Sequence, residues 1–329
     1  MNPDAKLAAN VFERPDQAPT RDGFGKGVVE AGEADPRVVV LCADLTESTR
    51  AQEFQKKFPG RFVEVGVAEQ NLATLASGFA AFGKIPFITS YAAFSPGRNN
   101  EQIRTTISLN HVPVKVCGMH AGVSVGPDGA THQALEDLAL MRMQPNMTVI
   151  SPCDAEEGRK ATLAAAKLDG PVYLRFGREK TPVMTTVGTP FEIGKAIIFW
   201  RSKEPKVTIF ATGPLVHNAL LAARELEKNG TGSIVVNIHT IKPLDTAAIA
   251  ELARETGAVV TVEEHQIAGG LGGAIAEYLA SANPVPMEFI GVHDRFGQSG
   301  DPKELVEHYK MGVTHIIEAA QLVLKRKGL

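Results

Sequence analysis

Short runs of aliphatic and β-branched residues alternate along the chain with segments in which apolar residues recur at helical spacing. In the first half, these runs predict strands at residues 38–41, 62–65, 85–91, 112–119, 148–152 and 172–176. The intervening segments predict helices near 21–34, 66–83, 99–110, 133–143 and 154–168. The strand runs are continuously apolar, which is typical of parallel strands that are covered on both faces. The pattern therefore predicts an α/β fold built on a doubly wound, mostly parallel sheet.

The segment 180–194, KTPVMTTVGTPFEIG, interrupts this rhythm with prolines, glycines and threonines, and it predicts a linker. Beyond it the alternation resumes, with strands predicted at 207–211, 233–238, 258–263 and 287–292. Helices are predicted at 214–228, 246–256, 271–281, and after Pro302 and Thr314. We therefore expect two doubly wound α/β domains, residues 1–188 and 189–329.

One predicted helix, 66–83, carries a charge on its apolar stripe. Glu69 lies three residues before Leu72 and seven before Ala76, on the face that should point into the core. An unpaired carboxylate buried there costs several kcal/mol or is forced to take up a proton. Either another group pairs with the carboxylate of Glu69, or this face of the helix lines a cleft.

The composition argues against several classes of function. The net charge of −3, with 44% hydrophobic and 22% charged residues, gives no basic surface for nucleic acid or for an anionic membrane. No run of about 18 apolar residues is present, and the N-terminus lacks the apolar region of a signal peptide. The three cysteines, Cys42, Cys117 and Cys153, are widely spaced beside apolar runs and predict reduced, buried thiols in a cytoplasmic protein.

Glycine-rich segments are the next candidates for chemistry. The run GGLGGA at 269–274 follows a predicted strand, but it lacks the spacing of a nucleotide-binding loop and predicts close packing of a helix. The loop MHAGVSVGPDGATHQ at 119–133 is more informative, because it carries His120, Asp128 and His132 just beyond a predicted strand. Ligands of parallel sheets bind at that end of the strands. No cluster of His and Cys has the spacing of a metal site.

Four segments in order resemble the pyrimidine-binding domain of transketolases: GVAEQN (66–71), FITSYAAF (87–94), GPDGATHQ (126–133) and GPVYLRFGR (170–178). Two later segments, VVNIHTIKPLD (235–245) and VEEHQIAGGLGGAIAE (262–277), resemble the C-terminal domain that transketolases share with deoxyxylulose-phosphate synthases. Each motif alone is weak, whereas the ordered set is specific.

The resemblance implies a thiamine diphosphate cofactor. In its terms Glu69 hydrogen-bonds a ring nitrogen of the aminopyrimidine, Phe94 stacks on that ring, and Tyr91 is a second aromatic of the same wall. Asp44 matches a carboxylate near the thiazolium ring. A third aromatic, expected three residues after Phe94, is absent, because Gly97 stands there.

The resemblance also implies the substrate-binding residues. His132 matches a histidine that moves protons at the sugar hydroxyls, Asp128 a carboxylate that recognises the hydroxyl beside the reacting carbonyl, and His120 a histidine at the substrate end. The group that would hold the sugar phosphate consists of Arg21, Ser48 and Arg178, with Arg175 as the alternative to Arg178.

One expected motif is missing. Transketolases hold the diphosphate through Mg²⁺ or Ca²⁺ in a separate domain marked by Gly-Asp-Gly, and this sequence contains no Gly-Asp-Gly. The resemblance therefore implies the C-terminal (beta) subunit of a split transketolase. It also implies an N-terminal-type subunit that binds the diphosphate and the metal within a heterotetramer, for a reaction on sugar phosphates of the pentose phosphate type.

Three alternatives stay open at this point. The beta subunit of a 2-oxoacid dehydrogenase shares the domain plan, but DGATHQ together with Arg21 and Arg178 suits polyol phosphates better. A deoxyxylulose-phosphate-synthase-like enzyme would normally carry all its domains on one chain. A catalytically silent subunit would be expected to lack Glu69, Asp128 or His132, and all three are present.

Overall fold

The structure is a computed structural model that describes residues 1–328, so Leu329, the last residue of the predicted second domain, lies outside it. Its helices are α1 (Thr20–Ala34), α2 (Gln52–Lys57), α3 (Glu69–Ala81), α4 (Asn100–Gln102), α5 (Asp137–Arg142), α6 (Ala155–Lys167), α7 (Val216–Lys228), α8 (Thr246–Thr256), α9 (Leu271–Ala282), α10 (Pro302–His308) and α11 (Val313–Lys327). A π-helical segment, Ile103–Ser108, continues α4. Within residues 1–328, no helix has the length and apolarity needed to cross a membrane.

The strands form two large sheets and one small ribbon. They are β1 (Gln17–Pro19), β2 (Val38–Cys42), β3 (Phe62–Glu64), β4 (Ile85–Tyr91), β5 (Lys115–Met119), β6 (Thr148–Ile150), β7 (Val172–Arg175), β8 (Lys180–Pro182), β9 (Ile197–Arg201), β10 (Pro205–Ala211), β11 (Gly232–Asn237), β12 (Thr240–Lys242), β13 (Val259–Gln266) and β14 (Met287–Val292). The first sheet has the order β12-β6-β7-β5-β4-β2-β3 and the second β14-β13-β10-β11-β9, while β1 pairs with β8.

Both large sheets are mostly parallel, which confirms the predicted fold class. The exceptions are edge strands: β12 runs antiparallel to β6, and β9 runs antiparallel to β11. In β2 every residue is buried. Val39 and Leu41 pack in the cluster that contains Leu72 of α3, whereas Val38 and Val40 pack in the cluster of helix α1. Burial on both faces explains why the strand is apolar at every position.

Two segments cross between the sheets. The strand β12 follows β11 of the second sheet in the chain, yet it pairs with β6 of the first sheet. In the opposite direction the N-terminal arm, residues 1–16, packs on the second sheet: the backbone N–H of Asn2 donates to the Phe199 carbonyl at 2.9 Å, and Val11 is buried in that core. The two halves of the chain are therefore joined in both directions.

The parallel strands β2, β4 and β5 are neighbours, so their carboxyl ends lie side by side at one edge of the first sheet. The loops that leave this edge contain Asp44 and Ser48 after β2, Phe94 after β4, and His120 after β5. Helix α3 also begins at this edge, directly after β3. The fold therefore gathers the segments singled out from the sequence.

Candidate functional site

Glu69 is the first residue of α3 and is 2% exposed. Its Oε2 accepts a hydrogen bond from Nη1 of Arg98 at 2.7 Å, and its Oε1 accepts one from the Ser90 hydroxyl at 3.2 Å. The amide of Asn99 donates to the backbone carbonyl of Glu69 at 3.0 Å. The buried carboxylate therefore has a charged partner, Arg98, which was not foreseen from the sequence.

Arg98 also covers an aromatic ring. Its guanidinium carbon lies 4.9 Å from the centre of the Phe94 ring, within the range of a cation–π contact. The neighbouring Gly97 has no room for a side chain, because a Cβ there would come 2.2 Å from the carbonyl oxygen of Ala93. The aromatic expected at Gly97 therefore cannot be accommodated with this backbone, and Arg98 lies over Phe94.

Four rings form a continuous wall beside Glu69. Tyr91 stacks on Phe94 at a centroid distance of 5.9 Å and on His120 at 3.8 Å. His132 meets Tyr91 and Phe94 edge-on, at 5.9 and 5.3 Å. The hydroxyl of Thr131 lies 2.9 Å from Nδ1 of His132. The structure thus brings together four residues that the sequence predicted in one site.

His120 is held in one protonation state. Nη1 of Arg21 lies 3.0 Å from Nε2 of His120 and also donates to the Ser48 carbonyl at 2.7 Å. Since a guanidinium only donates, Nε2 must accept and Nδ1 must carry the proton. Among the described residues, Nδ1 has no hydrogen-bond partner although it is buried. Burial, aided by the charge of Arg21, lowers the pKa of His120 to about 2, so the ring is neutral at any physiological pH.

A polar cleft of about 400 Å³ opens in front of His120; its lining is Arg21, Glu47, Ser48, Arg50, Tyr91, His120, Asp128 and Arg178. Three guanidinium groups face two carboxylates, so the cleft carries an excess of positive charge. Burial and the neighbouring Arg50 lower the pKa of Arg21. This crowding of cations favours an anionic ligand. Neither Arg50 nor Glu47 was predicted from the sequence.

Arg178 and Arg175 have separate environments. Nη1 of Arg178 donates to the Val125 carbonyl at 2.8 Å and lies 3.5 Å from Oδ1 of Asp128 at the cleft. Arg175 is 5% exposed and pairs with Asp137 at 2.8 Å, away from the cleft lining. The geometry therefore favours Arg178 over Arg175 as a ligand for phosphate.

Asp44 lies apart from these groups. It is exposed in the loop after β2, with a left-handed φ of 57°, and its backbone N–H donates to Oε1 of Glu64 at 2.7 Å. It does not line the cleft. Asp44 thus lies in the loop at the same sheet edge, and its hydrogen bond goes to Glu64 rather than to a residue of the ring wall.

The glycine run 269–274 is a packing element, as expected. The carboxylate of Glu263 accepts hydrogen bonds from the backbone N–H groups of Leu271 and Gly272, at 2.7 and 2.8 Å. A Cβ on Gly270 would lie 2.0 Å from this carboxylate. The amino end of α9 is therefore filled by the chain's own side chain, and no group of His, Cys, Asp and Glu in the described part of the chain is arranged to hold a metal ion.

Comparison with known proteins gives a consistent result. Residues 16–184 match the family model "Transketolase, pyrimidine binding domain", and residues 194–316 match "Transketolase, C-terminal domain". The 6-deoxy-6-sulfo-D-fructose transketolase subunit SqwH of Clostridium sp. (strain MSTE9) is 39% identical over 94% of this chain and 95% of its own length. The putative transketolase C-terminal section of Methanocaldococcus jannaschii is 40% identical over 93% and 96%.

A solved structure described as a split gene transketolase, inactive beta4 tetramer, superposes with a TM-score of 0.87. It is 43% identical in sequence, and the match covers 93% of this chain and 98% of that one. The two family models together span the strands of both large sheets.

Proposed function

Since this chain belongs to the transketolase family and carries its pyrimidine-binding and C-terminal domains, we propose that it is the C-terminal (beta) subunit of a two-chain, thiamine-diphosphate-dependent transketolase. The assembled enzyme would move a two-carbon ketol unit from a ketose phosphate to an aldose phosphate. Relatives named as a transketolase subunit and a transketolase section match over 95% and 96% of their own length. This favours the proposal over a 2-oxoacid dehydrogenase subunit or a deoxyxylulose-phosphate-synthase-like enzyme.

One structural observation carries the proposal: the ring wall connects a buried carboxylate to an arginine-lined cleft. The contacts follow one another without a break through Glu69, Arg98, Phe94, Tyr91, His120 and Arg21. A site for an aromatic, hydrogen-bonding ring therefore lies beside a site for an anion. This is the pairing that a pyrimidine cofactor and a phosphorylated sugar require.

The residues present fit the aminopyrimidine ring. A planar, nitrogen-rich group, the guanidinium of Arg98, already contacts both the Glu69 carboxylate and the face of Phe94. Thiamine diphosphate, when bound, supplies the electron sink for cleavage of a carbon–carbon bond beside a carbonyl. Glu69 would hold a nitrogen at the edge of the ring and exchange a proton with it, while Phe94 and Tyr91 exclude water from its face. Asp44, in the loop at the same sheet edge, is proposed to lie on the thiazolium side.

The sugar phosphate is proposed to lie in the cleft. Arg21 and Arg178 would bind its oxygens as charged donors, with Ser48 at the same wall and Arg50 added by the structure. Asp128 would accept a hydrogen bond from the hydroxyl beside the reacting carbonyl. His132, at the edge of the ring wall, is the residue proposed to move protons. His120 is neutral, so its part is to donate a hydrogen bond from Nδ1 rather than to act as an acid.

The diphosphate and its Mg²⁺ or Ca²⁺ are proposed to bind to an N-terminal-type partner subunit, because the sequence contains no Gly-Asp-Gly motif. The outer face of α3 supports docking at the Glu69 edge. Val67, just before α3, is 70% exposed, Leu75 within α3 is 38% exposed, and Phe82, just after it, is 89% exposed, so large apolar side chains are exposed at both ends and in the middle of the helix. We propose that two copies of each subunit form a heterotetramer, in a cytoplasm that keeps the three buried cysteines reduced.

The test is reconstitution. Alone, this chain should have no transketolase activity and should bind thiamine diphosphate weakly, because one ring stack and one hydrogen bond barely exceed the cost of association. After the partner subunit and magnesium are added, tight binding and turnover should appear together. Calorimetry and a coupled assay with xylulose-5-phosphate and ribose-5-phosphate measure both. Tight, magnesium-dependent binding and full turnover by this chain alone would contradict the proposal.

A further inference from the structure

The subsite proposed for the pyrimidine ring is filled by a side chain of this protein. Nη1 of Arg98 lies 2.7 Å from Oε2 of Glu69, and the same guanidinium lies 4.9 Å from the centre of the Phe94 ring. These are the two groups that the ring of the cofactor would contact. A flat ring cannot stack on this face of Phe94 and bond to Oε2 of Glu69 while the guanidinium makes the same contacts.

We propose that Arg98 occupies the pyrimidine subsite of the unloaded chain and is displaced when the ring of the cofactor binds. This inference rests on the proposed function, since it takes Glu69 and Phe94 to be the ring-binding residues. It assigns to Arg98 a role in controlling cofactor binding, and it explains what compensates the charge of Glu69 before the cofactor arrives.

The surrounding contacts allow the side chain to move while the backbone stays in place. The backbone N–H of Arg98 donates to the Phe94 carbonyl at 2.8 Å, which sets Arg98 one turn after the ring. The next residue, Asn99, is buried and donates to the Glu69 carbonyl at 3.0 Å and to the Ser95 hydroxyl at 3.1 Å. By contrast, half of the Arg98 side chain is exposed. The guanidinium can therefore turn into solvent without breaking these bonds.

Gly97 gives the arginine its access to Phe94. With a side chain at this position, a Cβ would meet the Ala93 carbonyl oxygen at 2.2 Å, so the local backbone would have to shift. With glycine, the ring face of Phe94 is left for the neighbouring Arg98. Gly97 therefore accounts for two observations: the expected aromatic is absent, and Arg98 covers the ring of Phe94.

Arg98 and the ring of the cofactor therefore compete for the same subsite. Leaving Glu69 buried without a partner would be costly, so Arg98 stabilises the free chain. The ring must replace a cation–π contact and an ion pair in which the Arg98 side chain is half exposed and the Glu69 side chain is 2% exposed, and its own hydrogen bond to Glu69 offsets most of that loss. Arg98 should therefore lower the apparent affinity for the ring by a modest factor without preventing binding.

The experiment uses the full-length chain and a neutral probe, the free hydroxymethyl alcohol of the cofactor's aminopyrimidine ring. Binding is followed by ligand-observed NMR. The substitution Arg98→Met, which keeps the length of the stem but removes the charge, should tighten binding about three- to ten-fold. Arg104→Met is the matched control, because Arg104 is exposed six residues further along, in the π-helical segment, and forms no ion pair among residues 1–328; it should leave binding unchanged.

The dependence of probe binding on salt concentration gives a second readout. Because the probe is neutral, only the Glu69–Arg98 pair is screened when the salt is raised from about 50 mM to about 500 mM. The unsubstituted chain should bind the probe more tightly at high salt, whereas Arg98→Met should show no such trend. The Tm of Arg98→Met without ligand should also fall, since Glu69 loses its partner.

The outcomes separate the inference from the proposed function. Equal or weaker binding of the probe by Arg98→Met, with Phe94→Ala still weakening it, would overturn the role of Arg98 alone. If Phe94→Ala and Glu69→Gln both left binding of the probe unchanged, the ring would not bind at this site. That result would overturn the proposed cofactor site as well as the inference.

Discussion

At the scale of single residues, two arginines three positions apart have opposite surroundings. Arg175 ends β7 inside the protein, where the carboxylate of Asp137 pairs with it and burial is nearly complete. Arg178 lies in the loop beyond that strand and faces the cleft with Asp128. The same side chain is thus a structural ion pair in one place and a candidate phosphate ligand in the other.

Alanine substitutions should separate these roles. Arg178→Ala removes a charged donor worth about 1.5–3 kcal/mol, so the KM of the assembled enzyme for a ketose phosphate should rise roughly 10- to 100-fold with an unchanged Tm. Arg175→Ala leaves Asp137 buried and unpaired, which should lower the free energy of unfolding by about 3–5 kcal/mol. Steady-state kinetics and urea unfolding of both variants are the measurements. A stable Arg175→Ala protein with a raised KM would reverse the assignment.

The sequence predicted most of the candidate site at this scale, because each residue of the ring wall lies in a motif with recognisable neighbours. It did not predict Arg98, whose bond to Glu69 joins residues 29 positions apart. Arg50 was missed for a similar reason, since a guanidinium in a loop after a strand has no pattern of its own. Contacts of this kind depend on which loops the sheet order brings together, and periodicity carries no such information.

At the scale of elements, burial decided which predictions held. The strands β4 and β14 and the helix α8 were predicted with the bounds that the structure gives them, because their apolar patterns reflect complete or one-sided burial. The short strands β1, β8, β9 and β12 were not predicted, and β8 lies within the segment interpreted as a linker. These strands lie at edges or in the small ribbon, where pairing depends on the backbone of a distant strand.

The turn that leads into β12 contains a histidine whose environment predicts a pH effect. His239 is fully buried, it stacks on Phe191 at 4.3 Å, and burial lowers its pKa from 6.5 to about 3. Below pH 6.5 the unfolded chain binds a proton at this ring, while the folded chain does not until about pH 3. The free energy of unfolding should therefore fall as the pH falls through this window.

Between about pH 7.5 and about pH 5.5, His239 should account for a loss of about 1.4 kcal/mol of stability. His239→Phe keeps an aromatic ring against Phe191 and should remove this part of the pH dependence. Urea unfolding at both pH values measures it, with His293→Gln, an exposed histidine, as the control. The other buried histidines contribute equally to all three proteins, so an unchanged pH dependence in His239→Phe would refute the assignment.

At the scale of the whole molecule, the proposed function makes the carboxyl edge of the first sheet one side of a site that a partner subunit would complete. On that proposal, the cleft lined by Arg21, Arg50 and Arg178 would bind the sugar phosphate, and the ring wall would bind the ring of thiamine diphosphate. The diphosphate end of the cofactor would then be bound by the partner subunit. The family was identified from motifs in the sequence and is confirmed by the comparisons, whereas the partner's residues lie beyond what one chain can specify.

Helix α3 provides a test of where the partner binds. Leu75→Glu places a charge in the middle of the outer apolar face, and the dissociation constant of the two-subunit complex should rise at least ten-fold, since a carboxylate buried in an interface is strongly unfavourable. Leu322→Glu is the matched control, because Leu322 is 49% exposed on α11 of the second sheet and Leu75 is 38% exposed. Analytical ultracentrifugation with the partner measures both variants. Equal affinities for the two would place the interface away from α3.

The segment β12 and the N-terminal arm cross between the two sheets in opposite directions. A recombination event between related genes near residue 188 would therefore replace one partner of several packed contacts and leave the other partner unchanged. A chimaera joined there would pair β12 from one parent with β6 from the other, and would lay one parent's arm on the other parent's second sheet. The bond between Asn237 and Glu157, at 2.7 Å, would also join residues with different ancestry. The unit that evolution can exchange is therefore the whole chain, and its two halves should share one phylogeny.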